Sequence, residues 1–303
     1  MKQIKRQIKH PHVPSPSVCL LVLLTLIWLA QGCALAPKKV LVKDSSQRFD
    51  AGDIVSARTG KVVTFQKLIN HLGQVRVVYI GEKHTDTAHH DVQLKIIKAL
   101  WEIHPDLMVG MEMFDHSYQE ILEQWSGGRL SMDLFLEKTH WYANWRYNHR
   151  LYEKIFEFIK EKNIPLVGLN LPFHLPAKIR VGGIDSLSAS EKQHLAVDID
   201  ITQADHKAYV ERIYHQHKAA LKYKFAYFYQ AQCAWDDTMA EVIARSLGDR
   251  VMVVLAGNGH IIKKLGIPER AHRRTHVPYQ TVYPISVGQT AEWSFGDYIW
   301  VTP

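Results

Sequence analysis

The chain has 303 residues, 47% of them hydrophobic, and a formal net charge of +7, enough material for one large domain with its own core. The first 32 residues carry four of the positive charges and no acid, leaving a surplus of +3 for the rest, which is too mild for a nucleic-acid footprint. Of three cysteines only Cys233 lies within the domain region, so an internal disulfide is excluded, and no Cys-x-x-Cys-His is present to attach a c-type haem.

The leader comes first. Lys2, Lys5, Arg6 and Lys9 precede an apolar run over 18–30, long for a signal core and short for a membrane span. The run ends in Leu29-Ala30-Gln31-Gly32-Cys33, which resembles a bacterial lipobox, with Ala30 where Leu is usual. We read 1–32 as a lipoprotein signal peptide cleaved before Cys33, and Cys33 as the lipidation site. The competing reading is an uncleaved anchor helix. Ala34 after the cysteine favours the outer membrane of a two-membrane envelope. Residues 33–52 read as a tether.

A single α/β domain is expected over 53–303. Residues 53–65 have hairpin character around Gly60, and 67–71 read as a short helix. Strand 75–81 precedes a helix over 87–104 whose Val92, Ile96, Leu100 and Ile103 recur at helical spacing until Pro105. Strand 107–113 follows. Helical segments over 117–125, 130–138 and 149–162 lead to strand 164–170. The stretch 188–247 reads as a long helical insertion before the last core strand, 251–256. Two more strand candidates cover 281–287 and 297–301. The alternation specifies an α/β fold with a mostly parallel central sheet and flanking helices.

Four of these strands run into polar signals: Gly81-Glu82-Lys83-His84, Glu112, Asn170, and Gly257-Asn258-Gly259-His260. In an open parallel sheet the ligand crevice lies beyond the carboxyl ends of the strands. Glu82, His84, Glu112 and His260 therefore form a candidate rim, with Gly81 expected to let the backbone turn sharply. Carboxylate and imidazole together suit Mn, Fe or Zn. The rim is thus a candidate catalytic and metal set, and a divalent transition metal is a second cofactor expectation. Asp236 and Asp237, adjacent on a helix, cannot both face one site, and at least one is expected on a solvated face. Cys233 reads as a small buried hydrophobe. Arg270, Arg273 and Arg274 read as a solvated basic turn.

Further signals fall in order along the chain: Met111-Glu112-Met113-Phe114, Gln119, Thr139-x-Trp141 with Trp145, Leu169-Asn170-x-Pro172, Gln232-x-x-Trp235-Asp236-Asp237-Thr238-Met239-Ala240, and Gly266-Ile267-Pro268-x-Arg270. Together with the Gly-Glu-Lys-His and Gly-Asn-Gly-His runs, these resemble the ChaN haem-binding lipoproteins, within the Tiki/TraB/erythromycin-esterase superfamily. The resemblance covers about 60–300. It implies haem binding, iron acquisition at the cell envelope, and haem held at a dimer-forming surface. From the wider superfamily it implies a Glu/His rim supporting hydrolysis. For haem itself, Tyr223 and Tyr227, four apart in the expected helix, and His217 before them are the candidate ligands. A metal-dependent hydrolase using the rim is the alternative reading. The expected partners are haem, a membrane through the lipid anchor, and a second copy of the chain.

Overall fold

The computed structural model describes residues 38–216 and 222–303. The leader, Cys33 and His217 lie outside the described residues. Eleven strands are present among those described: β1 (Val40–Val42), β2 (Gln47–Phe49), β3 (Ile54–Ser56), β4 (Lys61–Val63), β5 (Val77–Glu82), β6 (Met108–Asp115), β7 (Leu166–Asn170), β8 (Met252–Gly257), β9 (Tyr279–Ser286), β10 (Thr290–Ala291) and β11 (Tyr298–Thr302).

Eight of them form the main sheet in the order β4-β3-β11-β9-β5-β8-β6-β7. From β11 to β7 every neighbouring pair is parallel, and the β3–β4 hairpin adds antiparallel strands at one edge. β8 does not end the core sheet: β9 and β11, expected only as tail strands, extend it on the far side of β5.

The parallel strands read as unbroken apolar runs because helices cover both faces. Val78 and Ile80 of β5, Val253 and Leu255 of β8, and Val109 and Met111 of β6 pack in one core with the helices Thr87–Ile103 and Glu153–Glu161. The alternate residues, Val77 and Tyr79, Met252 and Val254, and Met108, pack in a second core with the helix Phe225–Ser246. Asp86 caps the helix Thr87–Ile103 by accepting from the Ala88 amide, which fixes where the chain leaves β5.

The tether expectation over 33–52 is corrected from Val40 onward. β1 pairs antiparallel with β2 and parallel with β10 in a second, three-stranded sheet. Val40 and Val42 point to one side by strand alternation and are fully buried. The long insertion is helical as Ala189–Lys192, Ala204–Gln216 and Phe225–Ser246.

Candidate functional site: an acid–imidazole rim

β8 lies between β5 and β6, so the ends of these three strands are neighbours. Each delivers a residue of the expected rim. Glu82 is the last residue of β5 and packs on the side of the helix Thr87–Ile103. Its Oε1 accepts from His84 Nδ1 at 2.8 Å and from the Tyr152 hydroxyl at 2.5 Å. Its Oε2 accepts from Gln93 Nε2 at 2.8 Å, with His90 Nε2 at 3.5 Å. Burial alone would raise this carboxyl. Hydrogen bonds and charge from His84 and His90 overcome that and hold it down at about 2. Burial would lower the His84 imidazole, but the Glu82 bond and the Glu112 charge raise it.

Glu112 stands on the other face, towards the helix Phe225–Ser246. Its Oε2 accepts from the Gly257 amide at 2.6 Å, and its Oε1 lies 3.4 Å from His260 Nε2. His260 Nδ1 donates to Asp236 Oδ1 at 2.6 Å, and Asp236 Oδ2 lies 3.1 Å from His206 Nε2. His260 is therefore clamped between two carboxylates. Burial would lower its imidazole, yet Glu112 and Asp236 hold it well above the ordinary value. Glu112 and Asp236 are both held low, chiefly by His260 against their own burial.

The two couples reach each other across Gly257. A Cβ there would stand 2.8 Å from His84 Cε1 and 3.5 Å from Glu112 Oε2. The structure thus brings Glu82, His84, Glu112 and His260 to one rim, as two acid–imidazole couples. Glu82, His84, Gly257 and His260 line a cleft of about 440 Å³. Trp145 stacks edge-on to His84 with ring centroids 4.7 Å apart, and Tyr147 flanks it at 5.3 Å. Trp141 fixes that segment by donating its indole N–H to the Tyr147 carbonyl at 2.7 Å.

The metal expectation is not supported. Among the described residues no three His, Cys, Asp or Glu side chains stand where one ion could bind them together. The rim donors already point at each other.

Four further expectations are corrected. Gly81 provides space rather than a turn: it lies inside β5, and a side chain there would collide with Asn258 and Ile261. Asn170 does not join the rim; its amide donates to the Glu112 carbonyl at 2.9 Å and ties β7 to β6. Neither Asp236 nor Asp237 is solvated, since both are fully buried. Arg270 is not a surface cation but is buried against Asp237 and within 3.1 Å of His206 Nδ1, while Arg274 Nη2 lies 2.9 Å from Asp237. Cys233 is buried as expected, and burial pushes its thiol up to about 12.

The haem candidates fall elsewhere. Tyr223 and Tyr227 do not share a helix face, because Lys224 is the N-cap and the helix begins at Phe225. Tyr227 instead lies over Gly183, and Tyr223 has the Arg180 guanidinium 5.6 Å from its ring centre.

The sequence reading missed His90, Gln93 and Tyr152 around Glu82, and His206 behind Asp236. A signal existed for three of them. His90 and Gln93 fall in phase with Ile96, Ile97 and Leu100, and His206 in phase with Val210 and Tyr214, all buried. A polar side chain in an apolar phase has a partner inside.

Six parallel strands wrapped by helices on both faces, with buried acid–imidazole couples at the carboxyl edge, define a doubly wound α/β domain with its polar centre in the expected crevice. A family model described as haem-binding uptake, Tiki superfamily, ChaN matches residues 68–271. The chain belongs to this haem-binding family. The solved structure of cofacial heme binding to ChaN of Campylobacter jejuni shares the fold, with a TM-score of 0.68 at 19% identity over 82% of this chain and 95% of that one. A mutant of the erythromycin esterase EreC, in its open conformation, aligns with a TM-score of 0.46 at 15% identity over 77% of each chain. None of the curated proteins matches the chain significantly.

Proposed function

We propose that this protein is a haem-binding lipoprotein of the bacterial envelope that serves haem and iron acquisition. The observation that carries the reading is the match of the haem-binding family model over residues 68–271. The donor types haem requires are present: an imidazole or phenol for iron, cations for the propionates, and apolar surface for the ring. Tyr209, Arg212 and His215 offer these along one cleft of about 640 Å³. Haem supplies the iron that the protein captures and passes on, and the protein's residues only bind and orient it.

Attachment follows from the Cys33 reading, with the outer membrane as the site. Lipid chains contribute about 0.8 kcal/mol per buried methylene, and more than one chain anchors stably. A second copy of the chain is the proposed protein partner.

The test is titration of the purified protein with hemin. A Soret band that saturates is expected, and its absence ends the haem reading. Mass spectrometry of the membrane form is expected to find lipid on Cys33, and Cys33→Ala to release the protein from membranes. Light scattering with and without hemin reads the oligomeric state.

A further inference from the structure

A cavity of about 310 Å³ opens at the edge of the main sheet opposite the rim. β9 and β11 run parallel to β5, and their amino ends supply Gln280 and Tyr298 to its lining. Ser56 ends β3, and its carbonyl accepts from the Thr59 and Gly60 amides at 3.2 and 2.8 Å. Gly60 closes that turn at a φ of +64°, in the left-handed region that glycine enters freely. The turn carries Arg58 to the cavity, and the Ala57 amide ties it to the Asp297 carbonyl at 2.9 Å. His71, in the last turn of the helix Phe65–Leu72, supplies a further wall.

The groups lining this cavity are unevenly matched. The Tyr298 phenol and His71 Nδ1 are hydrogen-bonded to each other. Burial and the Asp297 charge raise the phenol against the pull of Arg58, so it keeps its proton and donates it. The neutral imidazole then accepts at Nδ1 and carries its own proton on Nε2. Asp297 is taken, since its Oδ1 accepts from Lys264 at 2.7 Å and its Oδ2 from the Thr281 amide and hydroxyl at 2.9 and 3.1 Å. Arg58 is exposed and has no ion-pair partner among the described residues. Gln280 Oε1 is buried without a hydrogen-bond partner. A buried acceptor left in this way calls for a donor.

We infer that this cavity binds a small hydroxylated carboxylic acid of the size of a sugar acid, with Arg58 on its carboxylate and Gln280 on one of its hydroxyls. A guanidinium holds a carboxylate through two parallel N–H bonds. A hydroxyl both donates and accepts, so it meets Gln280 Oε1 while accepting from His71 Nε2 or the Ser56 hydroxyl. One guanidinium beside the closed Asp297–Lys264 pair matches one negative charge, which selects a carboxylate over a doubly charged phosphate ester. The volume lies at the small end for ligand sites and suits a chain of about six carbons. The cavity shares no lining residue with the rim or with the cleft of Arg212, so its occupation is separate from haem binding.

The experiment is isothermal titration calorimetry of wild type, Arg58→Ala, Gln280→Leu and Arg48→Ala with gluconate, acetate, glucose and inorganic phosphate. Circular dichroism checks folding. Gluconate is expected to saturate one site on wild type. Acetate and glucose each carry half of its chemistry and are expected to bind about tenfold or more weaker. Arg58→Ala is expected to weaken gluconate about tenfold through loss of the charge-assisted contact. Gln280→Leu is expected to weaken it about fivefold through loss of the hydroxyl partner. Should that half-buried variant fail to fold, the exposed Arg58→Ala decides alone. Arg48→Ala, an exposed cation outside the cavity, is expected to bind as wild type. Gluconate that does not bind wild type, or binds Arg58→Ala equally well, overturns the proposal. Phosphate that binds more tightly than gluconate overturns the carboxylate assignment.

Discussion

The rim and the cleft lie close together, since the Tyr209 hydroxyl is 3.8 Å from where a Gly259 Cβ would stand, yet they treat charge in opposite ways. At the rim nearly every charged group is buried and already matched: Glu82 by His84, Gln93 and Tyr152, His260 by Glu112 and Asp236, Asp237 by Arg270 and Arg274. In the cleft, Arg212 and His215 are exposed on a helix face that looks across to Lys263 and Leu265. Buried matched charge resists change, because removing one partner strands the other in a medium that cannot solvate it. Exposed charge is cheap to alter and remains available to a ligand. The rim therefore reads as the internal frame at the sheet's carboxyl edge, and the cleft as the surface that trades with solvent.

The largest effect expected from this contrast is on stability. Arg270→Met removes the buried cation that faces Asp237 and His206 and leaves the Asp237 carboxylate with Arg274 and the Asp200 amide. The expected loss is about 3–5 kcal/mol by urea denaturation. Arg212→Ala, which removes an equally charged but exposed side chain, should change stability by less than about 1 kcal/mol. Equal losses in the two variants would erase the distinction between frame and surface.

The next effect is a pH dependence confined to the rim. Glu82 has its folded value at about 2 against an ordinary 4.5, so its stabilisation is complete above 4.5 and is lost as pH falls towards 2. The shift amounts to about 3 kcal/mol as an order of magnitude. His260 runs the other way. Its folded value lies well above the ordinary 6.5, so its stabilisation is complete below 6.5 and is lost as pH rises through the folded value. Both terms are whole between 4.5 and 6.5, and stability should be greatest there. Glu82→Gln should narrow its deficit against wild type as pH falls from 4.5 towards 2, since unfolding then takes up a proton at Glu82 and the advantage of the folded carboxylate drains away. A deficit that stays constant from pH 6 to pH 2 would show that Glu82 is not the group responsible.

How far this was legible in the sequence follows the same division. The parallel strands were legible because burial on both faces leaves uninterrupted apolar runs, and the polar residue ending each run marks the rim. Glu82, His84, Glu112 and His260 could be found in this way. Their partners could not be read from strand ends, because Tyr152 arrives at a helix cap and His206 and Asp236 arrive on helices distant in the chain, and of these only His206 is betrayed as a polar residue in an apolar phase. The pairing of each acid with its own imidazole was also hidden. It depends on which face of the sheet each strand end presents, and a register slip of one residue reverses that. The cleft was less legible still. Arg212 and His215 look like any charged residues on a solvated helix face until Lys263 and Leu265 are placed opposite them. The small sheet of β1, β2 and β10 was missed because strands of two or three residues are too short to show alternation.

The last prediction concerns the point where the two couples meet. Gly257 has φ of −55°, a conformation open to any residue, so its role is space and not backbone freedom. Gly257→Ala puts a methyl 2.8 Å from His84 Cε1, closer than packed carbon atoms allow. Either His84 swings away from Glu82, or the end of β8 shifts and stretches the 2.6 Å bond from the Gly257 amide to Glu112. Overpacking of this kind costs about 1–3 kcal/mol. The two responses are separable. Displacement of His84 would remove a donor from Glu82 and let its carboxyl rise, flattening the acid limb of the stability profile. Displacement of β8 would act on Glu112 and His260 and flatten the alkaline limb. We expect the acid limb to change, because His84 is partly exposed and free to rotate towards the cleft whereas the β8 backbone is held by β5 and β6 on both sides. A variant as stable as wild type with both limbs intact would mean that the couples do not meet at Gly257.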